Sequence, residues 1–167
     1  MKIFLILFFT VFCVIMNLSY ADAQERVRGQ WQYFENIDLI DDEDRSSVQK
    51  RSTVFDVLSI RCRPNGISIA FGHHRFLSKQ VVYRFRGEED SGALEETWIG
   101  SSDPRTVFVP QASIEEFLRL LQVNELLVIR VTDTDGQTYL YSYDLTEARE
   151  VLSNLSCLPS LPDKTEE

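Results

Sequence analysis

Apolar and polar residues alternate in short runs along most of this chain, and two stretches depart from that to a helical period. In residues 54–62, Val54, Leu58, Ile60 and Cys62 share a face interrupted only by Asp56, while Ser59 and Arg61 lie opposite. The alternation predicts a core strand whose terminal cysteine points inward. Arg63-Pro-Asn-Gly66 reads as a turn, because Asn and Gly supply the positive φ of tight reversals. Ile67, Ile69 and Phe71 then resume the alternation and complete a hairpin.

Further strands follow by the same reasoning. Residues 30–36 hold Trp31, Tyr33 and Phe34, and residues 47–53 form a polar strand suited to a sheet edge. In residues 80–86, Val81, Tyr83 and Phe85 face one way, with Val82, Arg84 and Arg86 on the other side. Residues 95–101, which include Trp98, and residues 106–109 flank Ser102-Asp-Pro104 and predict a second hairpin. Residues 126–132 are nearly all apolar, which predicts a central strand covered on both sides, with Arg130 as its exception. After the turn Asp133-Thr-Asp-Gly136, the side chains of Tyr139, Tyr141 and Tyr143 share one strand face.

The period lengthens after Ser113. Ile114, Phe117, Leu118 and Leu121 recur at helical spacing, and Ser113 with Glu116 has the form of a capping box. A second helix is expected after Asp144, its predicted cap, with Glu147 in the box position and a stripe of Ala148, Val151, Leu152 and Leu155. These elements predict a mainly β protein with two helices. The expected fold is a twisted antiparallel β-sandwich-like single domain with one internal and one C-terminal helix.

The two ends differ from this pattern. Lys2, an apolar run over residues 3–16 and the triplet Ala21-Asp-Ala23 form a secretory signal peptide over residues 1–23. The run is shorter than the roughly 20 residues that span a bilayer, so no stable membrane span is expected after cleavage. The β-rich exported domain is then residues 24–158, and residues 159–167 form a charged, flexible acidic tail. Cys62 and Cys157 are the cysteines outside the signal, and in an oxidising compartment they are expected to pair. Closing a loop of about 95 residues corresponds to roughly 4–5 kcal/mol in the chain-entropy model.

Charge and motifs narrow the chemistry. A formal net charge of −9 argues against nucleic acid as a ligand, since such binding depends on concentrated basic charge. The acids of residues 38–44 and 133–136 lack the spacing of a calcium loop, and solvated loops or turns explain them. His73 and His74 are adjacent, and on a strand they would face opposite ways, which disfavours a shared metal. No G-x-S-x-G or H-E-x-x-H motif is present, so the sequence calls for no catalytic residue, metal or cofactor. Asn154-Leu-Ser156 has the form of a glycosylation sequon within the second helix, where it is read as incidental. Trp31, Trp98 and the three tyrosines are read as core rather than as a ligand groove.

Several pieces recur in a recognisable order: Trp31, Leu58-Ser-Ile-Arg-Cys62, Val82-Tyr-Arg-Phe-Arg86, Trp98, Ser113-Ile-Glu-Glu-Phe117, Val128-Ile-Arg-Val-Thr132, Tyr143-Asp-Leu145 and Cys157. From Trp31 to Cys157 the chain resembles the VasI-like family of type VI secretion-associated exported proteins. The resemblance implies an accessory envelope protein without a defined catalytic activity.

The function expected from these features is a non-enzymatic, exported (periplasmic) accessory or adaptor domain that binds a protein partner in the cell envelope. An effector or inhibitor secreted to the medium, acting on a host or rival cell, is the alternative. An envelope hydrolase ranks below both. Alternation sets Arg61, Arg84 and Arg86 opposite the apolar faces of their strands, and these residues, with Arg130, are the candidate partner-binding set. They would form one cationic strip if their strands were neighbours.

Overall fold

Where the alternation is strongest, the chain is strand. The computed structural model describes residues 29–38 and 40–158. The signal peptide expected at residues 1–23 and the tail expected at 159–167 therefore lie outside the described residues. Within the 54–62 run the strand is β3 (Asp56–Arg63), paired in antiparallel register with β4 (Gly66–His73). Val54, expected on its inward face, lies instead in the exposed turn before it, because Asp56 holds Ser52 and Thr53 in a loop there. They are the middle of a six-stranded sheet that adds β1 (Gln32–Phe34) and β2 (Ser47–Lys50) on one side. On the other side it adds β7 (Ile99–Gly100) and β8 (Thr106–Phe108), giving the order β1-β2-β3-β4-β8-β7. The second sheet has the order β10-β9-β5-β6, built from β5 (Leu77–Gly87), β6 (Leu94–Thr97), β9 (Asn124–Asp133) and β10 (Thr138–Asp144). All pairings are antiparallel. Helix α1 (Ile114–Val123), entered through a 3-10 turn (Gln111–Ser113), and the short helix α2 (Ala148–Leu152) complete the described elements. The mainly β, sandwich-like fold with two helices is thus the one observed.

The core lies between the sheets. Leu58, Ile60, Ile69 and Phe71 from one sheet face Val81, Phe85, Leu127, Ile129 and Val131 from the other, all buried. Helix α1 closes the core with Phe117, whose ring meets Tyr83, Phe85 and Trp98 at centroid distances of 5.3, 5.0 and 5.9 Å. Trp31, Trp98, Tyr141 and Tyr143 are buried and Tyr139 is partly buried, so these rings fill the core.

Four local readings need correction. Residues 95–101 and 106–109 are not one hairpin: β6 pairs with β5 in one sheet, β7 pairs with β8 in the other, and Trp98 alone separates β6 from β7. Burial of Trp98 fixes this crossing, and its backbone N–H donates to the Lys79 carbonyl (2.7 Å). Strand β9 is central but covered on one side, with Leu126 and Val128 half-buried on its outer face. Strand β2 is an interior strand rather than an edge, because β1 pairs with it.

The fourth correction concerns the caps. Ser113 makes no side-chain capping bond; its hydroxyl donates instead to Glu96 Oε1. The other Glu96 oxygen accepts from Tyr83 Oη (3.2 Å) and Trp98 Nε1 (3.1 Å), so one carboxylate ties β5, β6, the crossing and the start of α1 together. Asp144 organises a turn by accepting from the Thr146 N–H (2.9 Å), and α2 begins only at Ala148. Its predicted stripe nevertheless packs inward, with Ala148, Leu152 and Leu155 buried. Asn154 lies in the exposed turn beyond α2 rather than within the helix.

Polar groups in the core mark its two ends. At one end Cys62 and Cys157 form the expected disulfide, with Cα atoms 5.6 Å apart. At the other, the buried Asp56 carboxylate accepts from Ser52 N (3.0 Å), Thr53 N (2.6 Å), Thr53 Oγ1 (2.6 Å) and Tyr143 Oη. The polar residue that interrupts the apolar face of β3 is therefore the anchor of the β2–β3 loop. His73, on β4, is 6% exposed, and its Nδ1 accepts from the Arg75 N–H (3.1 Å). It packs against Tyr139 and Tyr141, with His74, Arg75, Asp56 and Asp133 the charged or titratable groups around it.

Two predictions follow from these ends. Replacing Cys62 and Cys157 by Ala together lowers the unfolding free energy by about 2–5 kcal/mol. Urea titration of variant and oxidised wild type measures it, and a loss below about 1 kcal/mol would refute the structural role. Burial, aided by the neighbouring His74, holds the His73 pKa below its ordinary value, outweighing the opposing influence of Asp56 and Asp133. Below about pH 6.5 the unfolded chain takes up a proton that folded His73 resists. His73 thus contributes a stability that is present above that pH and is lost as the pH falls towards its folded value. The thermal midpoint is expected to drop between pH 7.5 and 5, and to drop less in His73→Phe; equal slopes in the two proteins would refute the assignment.

Candidate functional site

The inner face of β3 and β4 is crowded with large side chains, and their outer face is the reverse. Successive outward positions are Val57, Ser59, Arg61 and Arg63 on β3 and Ser68, Ala70 and Gly72 on β4, placed there by the two-residue period. The register sets Arg61 beside Ser68, Ser59 beside Ala70 and Val57 beside Gly72. Phe108 on β8 pairs with Ala70, Thr106 with Gly72, and Gln49 on β2 with Ser59. Small side chains between larger flanks leave a depression of about 240 Å³ along the strands. At Gly72 the neighbouring Val57 side chain takes the space, since a Cβ there would stand 3.0 Å from Val57 Cγ1.

Two cations stand at one end of this depression. Arg63 is held in place: its Nε donates to Ser68 Oγ (2.9 Å) and its guanidinium lies 5.9 Å from the Phe108 ring centroid. Arg61 is exposed, and neither arginine has an ion-pair partner among the described residues. None of the outward-facing residues of β1, β2, β3, β4, β7 and β8 is acidic, in a chain whose net charge is −9. A second depression of about 420 Å³ shares Val57, Gly72 and Thr106 with the first, so the trough continues to the other end of the strands. There it meets Arg51, Arg105, His74 and the exposed ring of Phe55, which lies 4.7 Å from the His74 ring. Arg51 donates to the Asp56 carbonyl (3.2 Å) and Arg105 pairs with Asp103 (3.2 Å).

The four arginines singled out from sequence do not share one surface. Arg61 is on the six-stranded sheet, whereas Arg84, Arg86 and Arg130 are on the outer face of the four-stranded sheet. On that second face Arg84 is bound in a fork by Asp90 (2.9 and 2.6 Å), and the pairing holds the Asp90 carboxyl down to about 2. Strand alternation gave each arginine its face, but pairing between strands decides which faces adjoin. Arg63 escaped sequence reasoning because it was assigned to the turn. It continues the series Ser59, Arg61, Arg63, and that period was the available signal.

Among the described residues no three His, Cys, Asp or Glu side chains converge to hold a metal. The acids at 38–44 are drawn onto Arg45, which reaches Asp38 and Asp41 at 2.6 Å each and Glu43 at 3.5 Å. Asp133 accepts from Asp135 N and Gln137 N (2.9 Å each) and from Tyr139 Oη (3.1 Å), the pattern of a carboxylate that shapes a turn. His73 points into the core while its neighbour His74 is exposed. Among the described residues no helix is long and apolar enough to cross a membrane.

No protein-family model matches the chain, and no curated protein matches it either. Among solved structures, the fold is similar to that of invasion associated protein B from Bartonella henselae, with a TM-score of 0.52 and 12% sequence identity. The match covers 77% of this chain and 92% of that one. At this identity the likeness is one of fold: two chains with little sequence in common share the arrangement of sheets that carries the trough.

Proposed function

We propose that this protein is a non-enzymatic exported accessory or adaptor domain that binds a protein partner through the outer face of its six-stranded sheet. The observation that carries the reading is the acid-free face bearing Arg61 and Arg63 beside a trough of small side chains. Unpaired guanidinium groups on such a face are ready to take carboxylates in planar, two-point contacts. The Cys62–Cys157 disulfide suits the oxidising envelope compartment that the signal peptide implies. Association with a type VI secretion system rests on the sequence resemblance.

The second reading is an effector or inhibitor acting on a host or rival cell. It is favoured by the name of the structural neighbour, an invasion associated protein. The hydrolase reading ranks below both, because a histidine base needs an accessible lone pair beside a nucleophile. His73 is buried and has its Nδ1 engaged by the Arg75 N–H. The exposed His74 ring packs against Phe55, His73 and Tyr139, with no hydroxyl or thiol bonded to it among the described residues.

Crosslinked capture from the envelope fraction by the mature, oxidised protein, with identification by mass spectrometry, tests the adaptor reading. An envelope partner is expected with the wild type and with Arg84→Glu/Arg86→Glu, and is expected to be lost with Arg61→Glu/Arg63→Glu. These four side chains project from outer sheet faces, so circular dichroism of both variants should match the wild type. Unchanged capture by a folded Arg61→Glu/Arg63→Glu protein would refute the assigned face. Recovery of the wild type only from the medium, with no envelope partner, would favour the effector reading.

A further inference from the structure

We propose that the trough along β3 and β4 receives an extended acidic polypeptide segment of about six or seven residues, with carboxylates at its two ends. This rests on the adaptor reading and specifies what the partner presents. The length follows from the strand itself: from Val57 to Arg63 is about 20 Å at roughly 3.3 Å per residue, a distance an extended peptide covers in the same number of steps. The two depressions adjoin at Val57, Gly72 and Thr106, with the Val57 side chain beside Gly72 as the low step between them.

The charge pattern selects the occupant. Cations stand at the ends, Arg61 and Arg63 at one and Arg51 and Arg105 at the other. At the latter end Asp103 pairs with Arg105 and the Asp56 carboxylate is taken up by Ser52, Thr53 and Tyr143, leaving Arg51 as the cation without an ion-pair partner there among the described residues. Each guanidinium carries five N–H donors, so the bonds from Arg63 to Ser68, from Arg51 to a carbonyl and from Arg105 to Asp103 leave donors unused. Between the ends the walls are Ser59, Ala70, Gly72 and Phe108, hydroxyl and apolar, with no charge. A nucleic acid strand would present a phosphate at every step and would require cations throughout. A peptide with acidic ends and small alternating side chains matches both the ends and the middle. The small side chains of Ser59 and Ala70 allow its backbone to come close to the sheet, and the Phe108 ring gives an apolar side chain a wall.

Fluorescence anisotropy on the full mature, oxidised protein tests this with three labelled eight-residue peptides. One has glutamate at both ends and alternating serine and valine between, the second has both glutamates moved to the centre, and the third has lysine at both ends. The first is expected to bind at least tenfold more tightly than the other two. Arg61→Glu/Arg63→Glu should weaken it at least tenfold and should strengthen binding of the lysine-ended peptide. Ala70→Trp, which fills the floor with an outward side chain, should weaken the first peptide to a similar extent while circular dichroism stays unchanged.

Equal binding of all three peptides would overturn the proposal, as would full affinity in folded Ala70→Trp or a preference for oligosaccharide or single-stranded nucleic acid over the first peptide. The adaptor reading fails separately. Arg61- and Arg63-dependent capture of an envelope protein with no selective peptide binding would leave the adaptor standing and remove the linear segment. Selective peptide binding without any captured partner would do the reverse.

Discussion

Trp98 holds the two sheets in their relation to each other. It is the one residue between β6 and β7, which belong to different sheets, so the chain crosses the sandwich within a single step. Such a crossing requires the sheets to come together at that corner, and a large fully buried ring makes the approach favourable. Burying an aromatic side chain of this size contributes on the order of 2–3 kcal/mol, and its contacts with Tyr83 and Phe117 add to that. The indole N–H would be an uncompensated cost in such a place, and Glu96 removes that cost by accepting it. Because the same carboxylate binds Tyr83 and Ser113, the corner also fixes where α1 begins.

The six-stranded sheet is held at both ends of its middle strands. Cys62 ties the end of β3 to the region beyond α2, and Asp56 ties its beginning to the β2–β3 loop and to Tyr143 of the opposite sheet. With the large residues of β3 and β4 committed to the interior, the outer positions are filled by small or long polar residues. The trough is a product of that division, since an outer row of Ser, Ala and Gly is concave wherever its neighbours are Arg, Gln and Phe. A surface made this way needs no moving part. Its shape is set by strands whose inner faces are packed.

Elements with a strong period were legible in the sequence: β3, β4, β5 and α1 lie within a few residues of where the pattern puts them, with the expected residues buried except Val54, which is exposed, and Ile67, which is partly buried. The failures share a cause. Asp56 interrupts the apolar face of β3, and no local pattern shows that Ser52, Thr53 and Tyr143, the last of them 87 positions away, supply its hydrogen bonds. Ser113 and Glu116 satisfy a local capping rule, yet a carboxylate from β6 takes the serine hydroxyl. Trp98 looks like one more inward residue of a hairpin, because the switch between sheets is a property of pairing partners. For the site, the outward direction of Arg61 was legible, whereas its separation from Arg84, Arg86 and Arg130 was a matter of topology. Arg63 and Phe108 adjoin only once β8 is placed beside β4.

An acidic protein proposed to take an acidic segment raises a question of range. The net charge of −9 acts over the whole molecule, but at physiological ionic strength the screening length is about 8 Å. A carboxylate at the Arg61 and Arg63 end of the trough is therefore governed by the groups within about that distance, and those lining that depression are arginines, hydroxyls, an amide and hydrocarbon. Much of the negative charge is engaged elsewhere: Asp38, Asp41 and Glu43 on Arg45, Asp90 on Arg84, and Glu89 and Glu116 on Arg119. Overall repulsion slows the first encounter with an acidic partner, most of all at low salt, while the local arginines hold it once it arrives. The two effects respond oppositely to salt: screening speeds association by weakening the repulsion, and it also speeds dissociation by weakening the grip of Arg61 and Arg63. An acid-free face on an acidic molecule thus favours a partner whose own charge is concentrated in one short segment over a partner that is acidic throughout.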